Sequence, residues 1–168
     1  MFNVRLKLGL FLFSFTIYLS SFCLAETRLG LEAFKISPDT ELELTAESMT
    51  FDSKNGKAHF FDDVVVNYGQ LRLSAQNLTF IQTKNSTNFN HLTFSASGPI
   101  IISNKNDFIY GDKALYIGQK QELTITGNVS LNQNNNKIVG DKLILDLENG
   151  LARISGSVKT IINSTGKN

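Results

Sequence analysis

One short phrase comes round four times in this 168-residue chain. It reads Ala46-Glu47-Ser48-Met49-Thr50-Phe51, then Ala75-Gln76-Asn77-Leu78-Thr79-Phe80, then Gly111-Asp112-Lys113-Ala114-Leu115-Tyr116, and last Gly140-Asp141-Lys142-Leu143-Ile144-Leu145. The copies start 29, 36 and 29 residues apart. Each opens on a small residue, continues with a polar pair, and then sets two apolar residues two positions apart. That spacing puts side chains on one face of a strand and not on one stripe of a helix. A strand pattern returning at this interval predicts stacked β units with one continuous interior. The predicted fold is all-β: an elongated, twisted antiparallel jelly roll with an open groove, built from repeated hairpin units.

The punctuation between strands is as regular as the strands. Asp52-Ser53-Lys54-Asn55-Gly56 is echoed by Asp146-Leu147-Glu148-Asn149-Gly150. The Asn-Gly pairs predict tight hairpin turns with positive φ at both central residues. Further along each unit comes a small polar corner: Asp62-Asp63, Gly98-Pro99, Gly127-Asn128 and Gly156-Ser157. Apolar positions resume four residues on in three units (60 to 64, 125 to 129, 154 to 158), so the apolar face keeps its side around a bend. The second unit is longer because of Gln82 to Asn90, a polar stretch that reads as a surface loop.

Alternation collects one apolar face. Its members are Met49, Phe51, Phe60, Val64, Val66, Leu71, Leu73, Leu78, Phe80, Phe94, Ile100, Ile102, Tyr116, Leu123, Ile125, Val129, Leu131, Leu143, Leu145 and Ile154. The opposite face reads as Ser, Thr, Lys, Asn, Asp and Glu. Two readings of the apolar face stand at this point. It is a sealed core, as in most β-sandwiches, or it lines a trough that stays open because no strand closes the series.

The N-terminus reads as a signal peptide over 1–25: basic Arg5 and Lys7, an apolar stretch from Leu8 to Phe22, and a small-residue cleavage site at Cys23-Leu24-Ala25. An uncleaved membrane anchor is the alternative. Phe22 stands before Cys23, where lipoprotein processing needs a small residue. Residues 26–40 form a leader that Ser37-Pro38-Asp39 ends, 41–162 the β domain, and 163–168 a polar tail. Without the first 25 residues the only cysteine is gone, which leaves no disulfide. The 16 basic residues then lose Arg5 and Lys7, giving 14 against 15 acidic ones. A near-neutral chain without a basic block excludes nucleic acid as a natural partner.

Catalytic patterns are missing. His59 and His91 stand out of phase with their apolar neighbours and are expected to face solvent, without the Cys or clustered carboxylates of a metal site. Asp62 and Asp63, adjacent in a strand, would point apart rather than form an acid–base pair. Asp112 and Asp141 read as turn or edge residues. The expectation is a protein that is not an enzyme and uses no cofactor or metal.

These segments together resemble the organic-solvent-tolerance (OstA) family of lipopolysaccharide-transport proteins. The likeness covers about Leu44 to Thr160. It is carried by the Ala46–Phe51 phrase with its Asn-Gly turn, by Leu123-Thr124-Ile125-Thr126-Gly127-Asn128-Val129, and by Ile138-Val139-Gly140-Asp141-Lys142-Leu143. The resemblance implies a V-shaped β-jelly roll in the periplasm that holds the acyl chains of lipid A and carries lipopolysaccharide from inner to outer membrane. It also implies head-to-tail assembly into a bridge. The implied partners are a membrane-anchored inner-membrane component at the N-terminal edge and the periplasmic domain of an outer-membrane translocon at the C-terminal edge. Unpaired sheet edges suit such assembly. The edge strands are expected around Leu42 to Met49, with Leu42 and Leu44, and around Val158 to Ile162, with Val158 and Ile161. Two alternatives remain: a structural or oligomerising periplasmic β protein that binds no lipid, and the membrane-anchored relative of the same system.

Overall fold

A computed structural model describes residues 41–82, 92–133 and 136–162. The expected signal peptide and leader, all but the first residue of the expected Gln82–Asn90 loop, His91 and the expected polar tail lie outside the described residues.

Among the described residues, ten strands form one antiparallel sheet. They are β1 (Leu42–Thr45), β2 (Ser48–Asp52), β3 (Lys57–Tyr68), β4 (Leu71–Gln82), β5 (Leu92–Asn104), β6 (Asp107–Ile117), β7 (Glu122–Gln133), β8 (Asn136–Asp146), β9 (Leu151–Ser155) and β10 (Lys159–Ile161). The spatial order is β1-β3-β4-β5-β6-β7-β8-β10, with β2 also on β3 and β9 also on β8. Each long strand pairs with the next in sequence, and the sheet does not close. A 3-10 turn at Gly118–Lys120 links β6 to β7. Among the described residues no helix is long and apolar enough to cross a membrane.

The expected first strand, Leu42 to Met49, is in fact two. It breaks at Ala46-Glu47, and both pieces lie antiparallel to β3. The last strand is likewise split into β9 and β10, both on β8, with Val158 just ahead of β10. The molecule is therefore a stack of eight bent strand positions, the outermost pair broken outright at the bend.

The bend is the polar corner read from the sequence. The register shifts at one level through the whole stack: between Phe61 and Val64, Ser74 and Asn77, Ser97 and Ile100, Tyr110 and Lys113, and Thr126 and Val129. Asp62, Asp63, Gly98, Gly127, Asn128, Gly156 and Ser157 all carry positive φ there. A bulge with left-handed residues turns a strand without exchanging its faces. The repeated phrase supplies the other side of each corner. Its polar second residue packs on the bulge of the neighbouring strand: Asp112 Oδ2 accepts from Asn128 Nδ2 at 2.8 Å, and Asp141 N–H donates to the Gly156 carbonyl at 3.2 Å. A Cβ on Gly156 would stand 2.7 Å from Asp141 Cβ, and one on Gly127 would stand 2.9 Å from Asp112 Cβ. The small opening residue has its own reason. A Cβ on Gly140 would meet Ile154 Cγ2 at 2.5 Å, and one on Gly111 would collide with Ile125 Cγ2. Small inside the bend and polar outside it is what the four copies have in common.

The two Asn-Gly loops differ from the expected tight turn. Asp52 pairs with Lys57 and Asp146 with Leu151, leaving four residues in each loop. Gly56 and Gly150 have positive φ, whereas Asn55 and Asn149 do not. The aspartate organises the loop instead. Asp146 Oδ1 accepts from the N–H groups of Glu148 (3.1 Å) and Asn149 (2.9 Å), and Oδ2 accepts from Asn149 Nδ2 at 2.8 Å. Asp52 makes the same set with Lys54 and Asn55. This is the Asx turn, in which a short carboxylate stands in for backbone acceptors.

Candidate functional site

Directly opposed residues of an antiparallel pair share a face. The register can therefore be followed across all eight positions. One ladder beside the bend runs Met49, Phe60, Leu78, Ala96, Ala114, Ile125, Leu143, Ile154. Two residues further from the bend runs a second: Phe51, Ala58, Phe80, Phe94, Tyr116, Leu123, Leu145, Ala152. Across the bend the same face continues as Leu44, Val66, Leu73, Ile102, Ile109, Leu131, Ile138. Val64, Ala75, Ile100 and Val129 lie between this ladder and the corner, and Leu42 and Leu71 lie beyond it. All twenty residues read from alternation fall on this one face.

Burial divides them. Leu78, Ile100, Ile125, Leu131, Leu143, Leu145, Val64 and Val129 are fully buried. Phe60, Leu71, Phe80, Phe94, Tyr116 and Ile154 are half-buried against that core. Four of these form a continuous aromatic ledge. Phe60 meets Phe80 edge-on at 6.0 Å, Phe80 meets Phe94 at 5.8 Å, and Phe94 stacks on Tyr116 at 5.1 Å. Rings at these separations hold one another by quadrupole contacts beyond area burial alone. Burial pushes the Tyr116 phenol up from its ordinary value, with nearby Tyr68 adding in the same direction. Toward the β2 edge the face emerges into solvent, where Met49 is 56% and Phe51 65% exposed. At the opposite edge Val158 and Ile161 are exposed as well, and Ile162 reaches 74%.

Several members of the face were missed by alternation alone. Ile109 is wholly buried, and Ala75, Ala96, Ala114 and Leu147 are buried too. Alanine is a weak apolar signal, but the in-register pair Ala96–Ala114 lies midway along the ladder beside the bend. The opposite face is less polar than expected, since Ile101 and Leu115 lie there exposed. His59 is on that side, as its phase requires. It is half-buried rather than free in solvent: it stacks on Phe61 at 6.3 Å, and its Nδ1 is 3.0 Å from Thr79 Oγ1. Among the described residues no cluster of His, Cys, Asp and Glu could hold a metal ion. Asp62 and Asp63 occupy the corner as bulge residues with φ of 59° and 46°.

A profile of the LptA/(LptD N-terminal domain) lipopolysaccharide transport proteins matches residues 43–151, well over half the chain. The chain belongs to this family. The family is one of transport proteins, not of enzymes, and membership gives the chain a role in lipopolysaccharide transport. Among solved structures it is similar to LptH of Pseudomonas aeruginosa, described as the LptA-homologous periplasmic component of the lipopolysaccharide transport device. The TM-score is 0.65 at 19% identity, over 76% of this chain and 98% of that one. At that identity the likeness speaks for the fold, an unclosed all-β jelly roll. No curated protein matches in a direct sequence comparison. The matched residues take in the ledge, the corners through β8 and both Asx loops, so the family pattern and the bent stack coincide.

Proposed function

We propose that this protein shelters the acyl chains of lipopolysaccharide on its apolar face and passes the lipid along a periplasmic bridge from inner to outer membrane. One observation carries the reading. The apolar face runs in register across every strand position and stays accessible along its aromatic ledge and at its β2 end. Each buried methylene is worth about 0.8 kcal/mol, so a chain of about a dozen carbons resists exposure to water by roughly 10 kcal/mol. Covering it with Phe80, Phe94 and Tyr116 removes most of that barrier without chemistry, and a ledge lets the lipid slide on. The saccharide would remain in water.

In this reading the fully buried residues of the face hold the fold, and the lipid contacts come from its exposed and half-buried members Met49, Phe51, Phe60, Phe80, Phe94 and Tyr116. The exposed edges serve head-to-tail assembly. β1 and β2, with Leu42 and Leu44, would meet the preceding partner, an inner-membrane-anchored component or another copy. β10, with Val158 and Ile161 close to the edge, would meet the next copy or the periplasmic domain of an outer-membrane translocon. The family and the signal-peptide pattern of residues 1–25 both support a periplasmic location.

Photocrosslinkers test the central point. Placed at Phe51 or Phe80, they are expected to capture lipopolysaccharide, whereas at Thr50, on the other face and outside the hollow there, they should not. Equal labelling of both sets would remove the apolar face from the account and leave a sealed structural β protein. Assembly is tested separately: Ile161→Pro should abolish concentration-dependent growth in light scattering, and unchanged growth would discard the edge-pairing proposal.

A further inference from the structure

The face turned away from the aromatic ledge carries a hollow of about 440 Å³. Its lining side chains come from four consecutive strands: Asn77 and Thr79 of β4, Ser95 and Ser97 of β5, Lys113 and Leu115 of β6, and Thr124 and Thr126 of β7. The hollow is a matter of side-chain length. The register sets Thr79, Ser95, Leu115 and Thr124 in one row and Asn77, Ser97, Lys113 and Thr126 in the next. Short hydroxyls thus fill the middle of the twisted sheet. Longer groups stand around them: the His59–Phe61 stack on β3 at one side and Lys142 of β8, directly opposite Thr126, at the other.

The geometry points to a binding site for an anionic oligosaccharide on this outer face. Three observations select that chemistry. First, Asn77, Ser95, Ser97 and Thr126 bring hydroxyl and amide groups able both to donate and to accept, which is what sugar hydroxyls need, into a lining that Ala96, Ala114 and Leu115 make largely apolar; Thr79 already meets His59 Nδ1 at 3.0 Å, and Thr124 donates to Glu122 Oε1 at 3.5 Å. Second, it is not purely polar: Leu115 is 41% exposed within it, and the flat Phe61–His59 stack adjoins Asn77 and Thr79. Apolar and ring surfaces of this kind suit the C–H faces of pyranoses. Third, Lys113 and Lys142 flank Thr126 in register, two strand spacings or ~10 Å apart. Neither ammonium is held in an ion pair among the described residues. A phosphate or carboxylate on the sugar would lie between them and gain charge-assisted hydrogen bonds. The site is on the opposite side of the sheet from the acyl-chain ledge, so the two proposals stand or fall separately.

The test uses the isotopically labelled full chain, titrated with mannopentaose phosphate, uncharged mannopentaose, inorganic phosphate and a short poly-glutamate peptide at low salt. Mannopentaose phosphate is expected to shift the amide signals of Thr79, Ser95, Lys113 and Thr126 while leaving Ile102 and Leu131, across the bend, unmoved. Lys113→Gln and Lys142→Gln should each weaken it about tenfold, the scale of one charge-assisted contact. Lys105→Gln, on a distant hairpin, should not. Thr126→Val, nearly isosteric, should weaken it while the fold's spectrum is kept. Absent shifts, equal binding of the uncharged sugar, the same shifts from phosphate or the peptide alone, or indifference to Lys113→Gln would each overturn the proposal. None of these outcomes touches lipid capture at Phe80.

Discussion

Leu143 and Phe94 lie on the same face of the same sheet, one ladder apart, and have opposite fates. Leu143, beside the bend, is fully buried, as are Ile125 on the neighbouring strand and Val64 and Ile100 across the corner. Phe94, two residues further out along its strand, is half-buried and sits in a chain of rings. On the ladder beside the bend, Leu78, Ile125 and Leu143 are sealed. On the outer ladder the run Phe80, Phe94, Tyr116 is large, flat and half-buried, while Leu123 and Leu145 further along it are buried. The sealed residues are packing, the run of rings an available surface, and a single alternation in the sequence writes both.

Truncating the two separates them. Leu143→Ala is expected to cost about 2–5 kcal/mol in denaturant unfolding, since it removes transfer energy and leaves a cavity. Phe94→Ala should cost no more than about half of the 3–5 kcal/mol of a fully buried ring, yet lose most lipid capture. If Phe94→Ala destabilises as much as Leu143→Ala, the ledge is core and the distinction fails.

The bend that creates the difference can be tested next. Gly156→Ala should destabilise by about 1–3 kcal/mol, because the new Cβ meets Asp141 and the backbone is left-handed. Ser157→Gly, at φ of 42°, should act in the opposite sense by up to about 1 kcal/mol. Thermal unfolding of the pair gives the signs, and two destabilised proteins would mean that Ser157 contributes more than its conformation.

The smallest expected effect lies far from the bend, at the Asx loops. Hydrogen bonding from the Asn149 side chain, then from backbone N–H groups, holds the Asp146 carboxyl below its ordinary 3.8, and Asn55 does the same for Asp52. A lowered folded pKa means that stability is present above the unfolded value and is lost as pH falls through the folded one. Asp52→Asn with Asp146→Asn should therefore flatten the acid limb of stability below about pH 4 and leave neutral lipid capture unchanged. An unchanged acid limb would assign it to other carboxylates.

Much of this was legible in the chain before any coordinates. Two-residue alternation marked the face because strand geometry maps sequence parity directly onto sides of a sheet. The corners were legible because keeping that parity across a bend requires a fixed count and small or left-handed residues. Ile109, Ala96 and Ala114 were not, since alanine buries little and their place in the core depends on which strands become neighbours. The Asn-Gly loops misled because the same dipeptide serves a two-residue turn and a four-residue Asx loop. Asp52 and Asp146, three residues earlier, decide between them through a hydrogen bond that composition does not announce.

The sequence by itself determined the family, the all-β unclosed stack, the level of the bend and the large side chains of the apolar face, Ile109 excepted. Each of these rests on local backbone preference and on parity, both of which are written residue by residue. Only the tertiary structure decided which of those side chains are sealed and which remain within reach, where both edge strands break, and that a shallow hollow with Lys113 in its lining lies on the far side. Those depend on how strands eight positions deep twist and converge, and distance across a fold is not a property of any one segment.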